Sequence, residues 1–238
     1  MRHSPLLIAH RGASAVAPES TQAALKAAMR AGADMVELDV QMTRDGRLVI
    51  FHDERLERTT NGTGRLAARR YAQLAALDAG AWFHPRFIGE RVLLVSQVLQ
   101  QLPQRMRINL ELKRTPRRHA LLARFMRLLR WTHARPRVLV SSFDARLLKP
   151  LASLRIARAL ICRQAPEWSL RTAIRLGCVA WHPHVSVLTR QRIQQAHAAG
   201  LRVHAWTVDD PSRARRLLRW GVDGLFTNDP ARLRGVMR

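Results

Sequence analysis

The chain has 238 residues, 47% of them hydrophobic, which suits one large domain or two small ones with a sizeable buried core. Nothing in it is low-complexity, no apolar run is long enough to span a bilayer, and two cysteines cannot build a disulfide framework. Lysine and arginine total 41 against 17 acidic residues, so the formal net charge of +24 should attract anionic ligands.

In chain order, the first apolar run is Leu6-Leu7-Ile8-Ala9, which ends in His10-Arg11-Gly12. A helical stretch over 20–31 follows, capped by Ser20 or Thr21 and stopped at Gly32. The second run, 35–40, contains Glu37-Leu38-Asp39. Leu48 to Phe51 reads as an extra strand ending in His52-Asp53, and Thr59 to Gly64 as a turn. The third run, 108–112, carries Glu111 and leads into Lys113. Further runs at 137–141, 157–161, 178–181, 202–205 and 224–227 alternate with helical stretches at 117–131, 144–153, 166–176, 189–199 and 211–220. Eight strands alternating with helices predict an α/β domain folded as a (β/α)8 TIM barrel. The runner-up is a doubly wound open sheet, weakened because no G-x-G-x-x-G follows a strand. The chain reads as a single domain over 1–238, with 53–94 a small insertion over the barrel mouth.

The polar clusters all close apolar runs, and barrel enzymes place their sites at the C-terminal ends of strands. Side chains two apart share a face, so Glu37 pairs with Asp39 and Glu111 with Lys113. Three carboxylates, two histidines, an arginine and a lysine can thus converge. That set suits a phosphate ester handled with a hard metal ion.

The pieces His10-Arg11-Gly12, Pro18-Glu19-Ser20-Thr21, Glu37-Leu38-Asp39-Val40, Thr43 to Gly46, His52-Asp53, Thr59 to Gly64, Leu77 to Phe83, Asn109 to Lys113 and Trp206-Thr207-Val208-Asp209 together resemble the glycerophosphodiester phosphodiesterases. The resemblance runs from the first strand to Asn228-Asp229-Pro230. It implies the barrel with its insertion, a divalent metal, and hydrolysis of glycerophosphodiesters to glycerol 3-phosphate and an alcohol. It also implies that a glycerol hydroxyl attacks first, giving a cyclic phosphate that water opens. Ser20 stands where the family usually has asparagine, and Asp209 where asparagine is common.

On residue chemistry, Glu37, Asp39 and Glu111 are the expected ligands of Mg²⁺ or Ca²⁺. His10 and His52 are the expected acid and base, because imidazole titrates near neutral pH. Arg11 and Lys113 are expected to hold non-bridging phosphate oxygens, although Lys113 is also placed to neutralise Glu111. Trp206 and Phe143 would wall the glycerol carbons, the alternative for Trp206 being a core position between barrel and helix. His182 and His184 read as rim residues, and Asn109 is read as pointing away from Glu111 and is left out of the site.

Lys26, Lys113 and Lys149 are the only lysines, and the arginines are spread along the chain rather than blocked together. They read as solvated helix faces, so no nucleic acid partner is expected. The basic helices 117–131 and 211–220 likewise read as the outer ring of the barrel rather than as membrane contacts. A lysophospholipase D acting on lipid diesters and a non-catalytic nucleic-acid binder are the competing functions. Met1 to Pro5 lead straight into the first strand, and Cys162 and Cys178 look like small apolar residues, which gives a cytoplasmic default. The substrate is expected to be a small molecule, and nothing in the sequence assigns an oligomeric state.

Overall fold

In the computed structural model, which describes residues 4–132 and 134–237, eight parallel strands close a barrel. They are β1 (Leu6–His10), β2 (Met35–Met42), β4 (Arg107–Leu112), β5 (Val138–Ser142), β6 (Ala157–Cys162), β7 (Ala180–Pro183), β8 (Arg202–Ala205) and β9 (Gly224–Thr227). The hydrogen-bonded order runs β1-β9-β8-β7-β6-β5-β4-β2, and pairing of β1 with β2 closes the ring. The short β3 (Leu48–Ile50) pairs antiparallel with the C-terminal end of β2. This is the (β/α)8 barrel.

Strands covered on both faces can be apolar throughout, which is why the runs are so continuous. Outward residues such as Leu7, Val36, Leu38, Ile108 and Leu110 pack in the main core beneath the helices. Inward residues form two smaller clusters, Ile8 with Met35 and Phe226, and Leu139 with Ala159 and Ala180. The surrounding helices begin and end where local chemistry dictates. For α1 (Gln22–Arg30), Thr21 rather than Ser20 is the cap, its hydroxyl accepting from the Ala24 N–H. For α8 (Pro211–Trp220), the Asp210 carboxylate accepts from the Arg213 N–H at 2.7 Å, and Gly221 at φ 95° ends the helix.

Two details differ from the sequence pattern. The helix expected over 144–153 is α for only Ala145–Leu148 and continues as a 3-10 turn over Lys149–Leu154. Pro150 lacks the N–H an α-helix needs there. Strand β7 starts two residues later than its apolar run at 178–181, so His182 lies within the strand and not on the rim.

The corrected register buries His182 inside the barrel, where its Nε2 lies 3.1 Å from Nδ1 of the equally buried His204. Burial pulls the pKa of His204 down to about 4 and that of His182 well below the ordinary histidine value. Both rings are therefore neutral in the folded barrel at neutral pH, whereas in the unfolded chain they gain protons below about pH 6.5. The unfolded state then binds more protons, so stability should fall as pH drops from about 6.5 towards 4, by up to about 1.4 kcal/mol per pH unit from His204, with His182 acting in the same direction. Melting measured across this range should show that slope, and His204→Gln should flatten it. An unchanged slope in the variant would assign the acid sensitivity elsewhere.

Between β3 and α3 (Val95–Gln101), residues 53–94 fold with a core of their own. Leu56, Leu66, Leu74, Ala79 and Val92 pack there against Val49 and Phe51, with α2 (Tyr71–Ala75) on its side. Side-chain contacts tie this segment to the β1–α1 loop and to the start of α1. An Arg86 guanidinium N–H donates to the Val16 carbonyl, and the Glu90 carboxylate accepts from the Ala23 N–H.

Candidate active site

Strand register brings the polar residues together. His10 lies beside Glu37, Glu37 beside Asn109, and Asp39 beside Glu111, on β1, β2 and β4. Their ends all open on the C-terminal face. One oxygen from each of Glu37, Asp39 and Glu111 lies within 4.8 Å of the others, and Glu37 and Asp39 are buried. Burial and the neighbouring Asp39 push Glu111 up to about 7. Burial, with Asp39 and Glu111 beside it, raises Glu37 well above the usual carboxylate range. Asp39 goes the other way, because Lys113 and Arg11 together outweigh its burial. Glu37 Oε1 is buried without a hydrogen-bond partner. Crowded, hard oxygen donors with an unsatisfied buried lone pair fit a divalent cation.

The histidines are each held by the Nδ1 side. Asn228 Nδ2 donates to the Asp209 carboxylate, which can only accept, so Asn228 Oδ1 is left as the acceptor for His10 Nδ1 at 2.8 Å. His10 therefore carries its proton on Nδ1 and turns a free Nε2 toward Glu37, 3.9 Å away. His52 Nδ1 donates in the same way to the Asp53 carboxylate. Burial alone would raise Asp53, yet hydrogen bonds from Arg58 and His52 bring it down to about 2, so it remains an anion. Both histidines have lowered pKa values. The cause for His10 is burial and then Arg11; for His52 it is burial, aided by Arg11 and Lys113 against the pull of Asp39.

The basic residues knit the rim. Arg11 donates to Glu19 at 3.1 Å and lies 3.3 Å from Asp39, while Arg58 bridges Glu19 and Asp53. Lys113 Nζ sits 2.9 Å from Glu111 and 3.2 Å from Asp39. Gln41, on the face of β2 shared with Glu37 and Asp39, donates its side-chain N–H groups to the carbonyls of Phe51, His52 and Asp53. That clamp fixes the backbone that presents His52.

The tight entry explains the local sequence. Arg11 adopts φ 57°, held by its N–H donating to the Glu37 carbonyl and carboxylate. Gly12 follows at φ 81°, where a Cβ would stand 2.8 Å from the Ala24 backbone. Ser20 also sits at φ 63°, a region asparagine enters more readily than serine.

Trp206 and Phe143 meet edge to face at 5.6 Å across the mouth, and the Trp206 indole N–H donates to the His182 carbonyl. Trp206 packs on the interior Ile8–Met35–Phe226 cluster, not between barrel and helix. His184 also meets the Trp206 ring edge to face, at 4.8 Å.

The family model for the glycerophosphoryl diester phosphodiesterases matches residues 10–232. The chain belongs to the glycerophosphodiester phosphodiesterase family. It is 34% identical to a glycerophosphodiester phosphodiesterase of Caldanaerobacter subterraneus, over 98% of both chains. It is 31% identical to a glycerophosphodiester phosphodiesterase of Bacillus subtilis, over 94% of this chain and 84% of that one. A phosphodiesterase of Oleispira antarctica, solved in complex with the product sn-glycerol-3-phosphate, superposes with a TM-score of 0.93 at 33% identity, covering 98% of this chain and 96% of that one. Membership makes the chain a phosphodiester hydrolase and sets aside the non-catalytic reading.

Within this glycerophosphodiester phosphodiesterase framework, sequence reasoning missed several neighbours of the site. Asp209 and Asn228 were noted in motifs without the role of orienting His10, because their meeting requires β8 and β9 to be neighbours. Asn109 has a signal that a period of two supplies directly. It shares the face of Glu111 and is buried beside Glu37, with its Oδ1 unpartnered.

Proposed function

We propose that this chain hydrolyses glycerophosphodiesters to glycerol 3-phosphate and an alcohol in a divalent-metal-dependent reaction, with Mg²⁺ or Ca²⁺ as the metal. The observation that carries the reading is the juxtaposition of three crowded carboxylates with two histidines that each present a free Nε2. The product bound to the Oleispira antarctica relative supports the substrate class.

Glu37, Asp39 and Glu111 would hold the cation. When bound, it would supply Lewis-acid charge to the phosphate as negative charge builds there. One imidazole takes the proton of the attacking hydroxyl on its free Nε2, and the other acts in its imidazolium form, giving an Nε2 proton to the leaving oxygen as the P–O bond breaks. Asp53 favours a charged His52, and the Asp209–Asn228 pair keeps the His10 ring in register. Arg11 and Lys113 turn from their carboxylate partners toward the non-bridging oxygens. Trp206 and Phe143 form an apolar wall for the glycerol carbons.

The same proposal treats 1–238 as one domain with 53–94 as an insertion at the mouth, supported by its separate small core. It places the protein in the cytoplasm, supported by two free, buried cysteines, Cys162 and Cys178. Among the described residues no helix is long and apolar enough to cross a membrane.

Turnover of the purified protein on glycerophosphocholine, glycerophosphoethanolamine and glycerophosphoglycerol tests the reading. Release of glycerol 3-phosphate is expected, and products other than glycerol 3-phosphate, or no turnover of any diester, would overturn it. Lys113 offers a sharper check. A compact ammonium fits between Glu111 and Asp39, whereas a planar guanidinium is larger and needs a fork-shaped partner. Lys113→Arg should lose most activity and keep its melting midpoint, while Lys26→Arg and Lys149→Arg change neither. Equal behaviour of all three would remove Lys113 from phosphate binding.

A further inference from the structure

The insertion ends in a segment, Ala81-Trp82-Phe83-His84-Pro85-Arg86-Phe87-Ile88, that leaves apolar surface in water. Ile88 is 68% exposed and Trp82 40%. The aromatic rings of the segment pack on one another. Trp82 meets Phe83 edge to face at 5.5 Å, Phe83 meets Phe87 at 5.6 Å, and the Arg86 guanidinium lies 4.7 Å over the Phe87 ring. The indole N–H of Trp82 is satisfied by the Ala79 carbonyl, so what it shows to solvent is an apolar face.

The position matters. Arg86 reaches the Val16 carbonyl in the β1–α1 loop, and Glu90 receives the Ala23 N–H at the start of α1. The knob therefore stands on the C-terminal rim of the barrel, beside the loop that begins with His10 and Arg11. Val16 in that loop, and Phe143 and Trp168 after β5 and β6, are also exposed and lie on the same face. By contrast, Trp131, the most exposed of the large apolar residues among those described, ends α4 (Arg118–Trp131) on the opposite face.

The charge of the knob is one-signed where it meets solvent. Between residues 79 and 92 the basic groups are His84, Arg86 and Arg91, and Glu90 is the sole acid, already engaged with a backbone N–H. Asp78, at its base, is spent on the N–H groups of Gly80, Ala81 and Gly89. Tryptophan and a branched aliphatic beside arginines, on a chain of net charge +24, match an interface where apolar tails lie under anionic headgroups. A lone apolar residue on a surface means little, but a packed aromatic and basic cluster on one rim marks an interaction site.

We propose that the Trp82–Ile88 knob seats the barrel mouth on an anionic lipid surface, so that the open end faces diesters borne on lipid. The docking surface stands on its own geometry; that the mouth beneath it hydrolyses those diesters rests on the function proposed above.

Sedimentation with phosphatidylcholine–phosphatidylglycerol vesicles, and with phosphatidylcholine vesicles alone, tests the proposal without any turnover. The full chain should bind the anionic vesicles and leave the neutral ones. An Arg86→Glu, Ile88→Asp double variant should partition at least about tenfold more weakly. Its melting midpoint and its turnover of soluble glycerophosphocholine should match the parent, which shows that the fold and the site survive. An Arg130→Glu, Trp131→Ala variant on the opposite face should bind vesicles as the parent does. Absence of binding to anionic vesicles would overturn the proposal. So would parental binding by the double variant, which would assign adhesion to scattered arginines, or an equal loss in the opposite-face variant. Failure of the enzymatic reading would appear instead as absent glycerophosphocholine turnover with vesicle binding intact.

Discussion

Alanine at His10 or at His52 is expected to lower kcat by about 10² or more while the melting midpoint stays close to that of the parent chain. Each imidazole is anchored through Nδ1 and offers Nε2 to the space above the carboxylates, one from β1 and one from the loop after β3. A proton has to leave the attacking hydroxyl and another has to reach the leaving oxygen, and no other described imidazole is placed to serve. His184 packs edge to face against Trp206, while His182 and His204 are sealed inside the barrel. Stability should survive, because neither ring is a keystone. Asn228 Oδ1 keeps the Ser14 hydroxyl when His10 is removed, and the backbone around His52 is held by Gln41 through main-chain carbonyls. The double variant should be much less than multiplicatively worse, since both groups serve one transition state. Turnover and melting of the three variants provide the check, and near-parental kcat in either single variant would take that residue out of the mechanism.

The order of strands and helices was legible because an enclosed parallel sheet needs apolar runs and covering helices need a stripe, and both leave periodic marks. Glu37, Asp39 and Glu111 were legible for the opposite reason. Each interrupts a run that burial would otherwise keep apolar, and two share a strand face. What periodicity could not supply was which residue stands behind another. The path from Asp209 through Asn228 to His10 crosses from the end of β8 to the end of β9 and on to β1, and such a meeting exists only once the barrel is closed. The network from Arg11 through Glu19 and Arg58 to Asp53 is equally hidden, because it joins the first loop to the insertion. His182 was misplaced for a simpler reason. The apolar run begins at Cys178, but Cys178 and Val179 precede the strand, and the two-residue offset moves the imidazole from the rim to the interior.

Removal of divalent metal should abolish hydrolysis, and Mg²⁺ or Ca²⁺ should restore it. Two of the three carboxylates are fully enclosed, and like charges at this separation in a low-dielectric setting repel strongly. Arg11 and Lys113 offset part of that charge, yet Glu111 is still pushed up to about 7 and Glu37 remains well above its ordinary range. An anionic diester brought to such a cluster without a further cation would meet net repulsion, so the same three groups that invite the metal would oppose the substrate in its absence. Binding should also register without any chemistry. Added Mg²⁺ or Ca²⁺ should raise the melting midpoint of the chelator-treated protein, because a ligand that binds only the folded state stabilises it. Glu111→Gln removes one donor and should weaken both the thermal shift and the recovery of activity, with the parent and variant compared at equal metal concentration. Full turnover by a preparation shown to be metal-free would sink the assignment, and so would a Glu111→Gln protein that responds to the ions as the parent does.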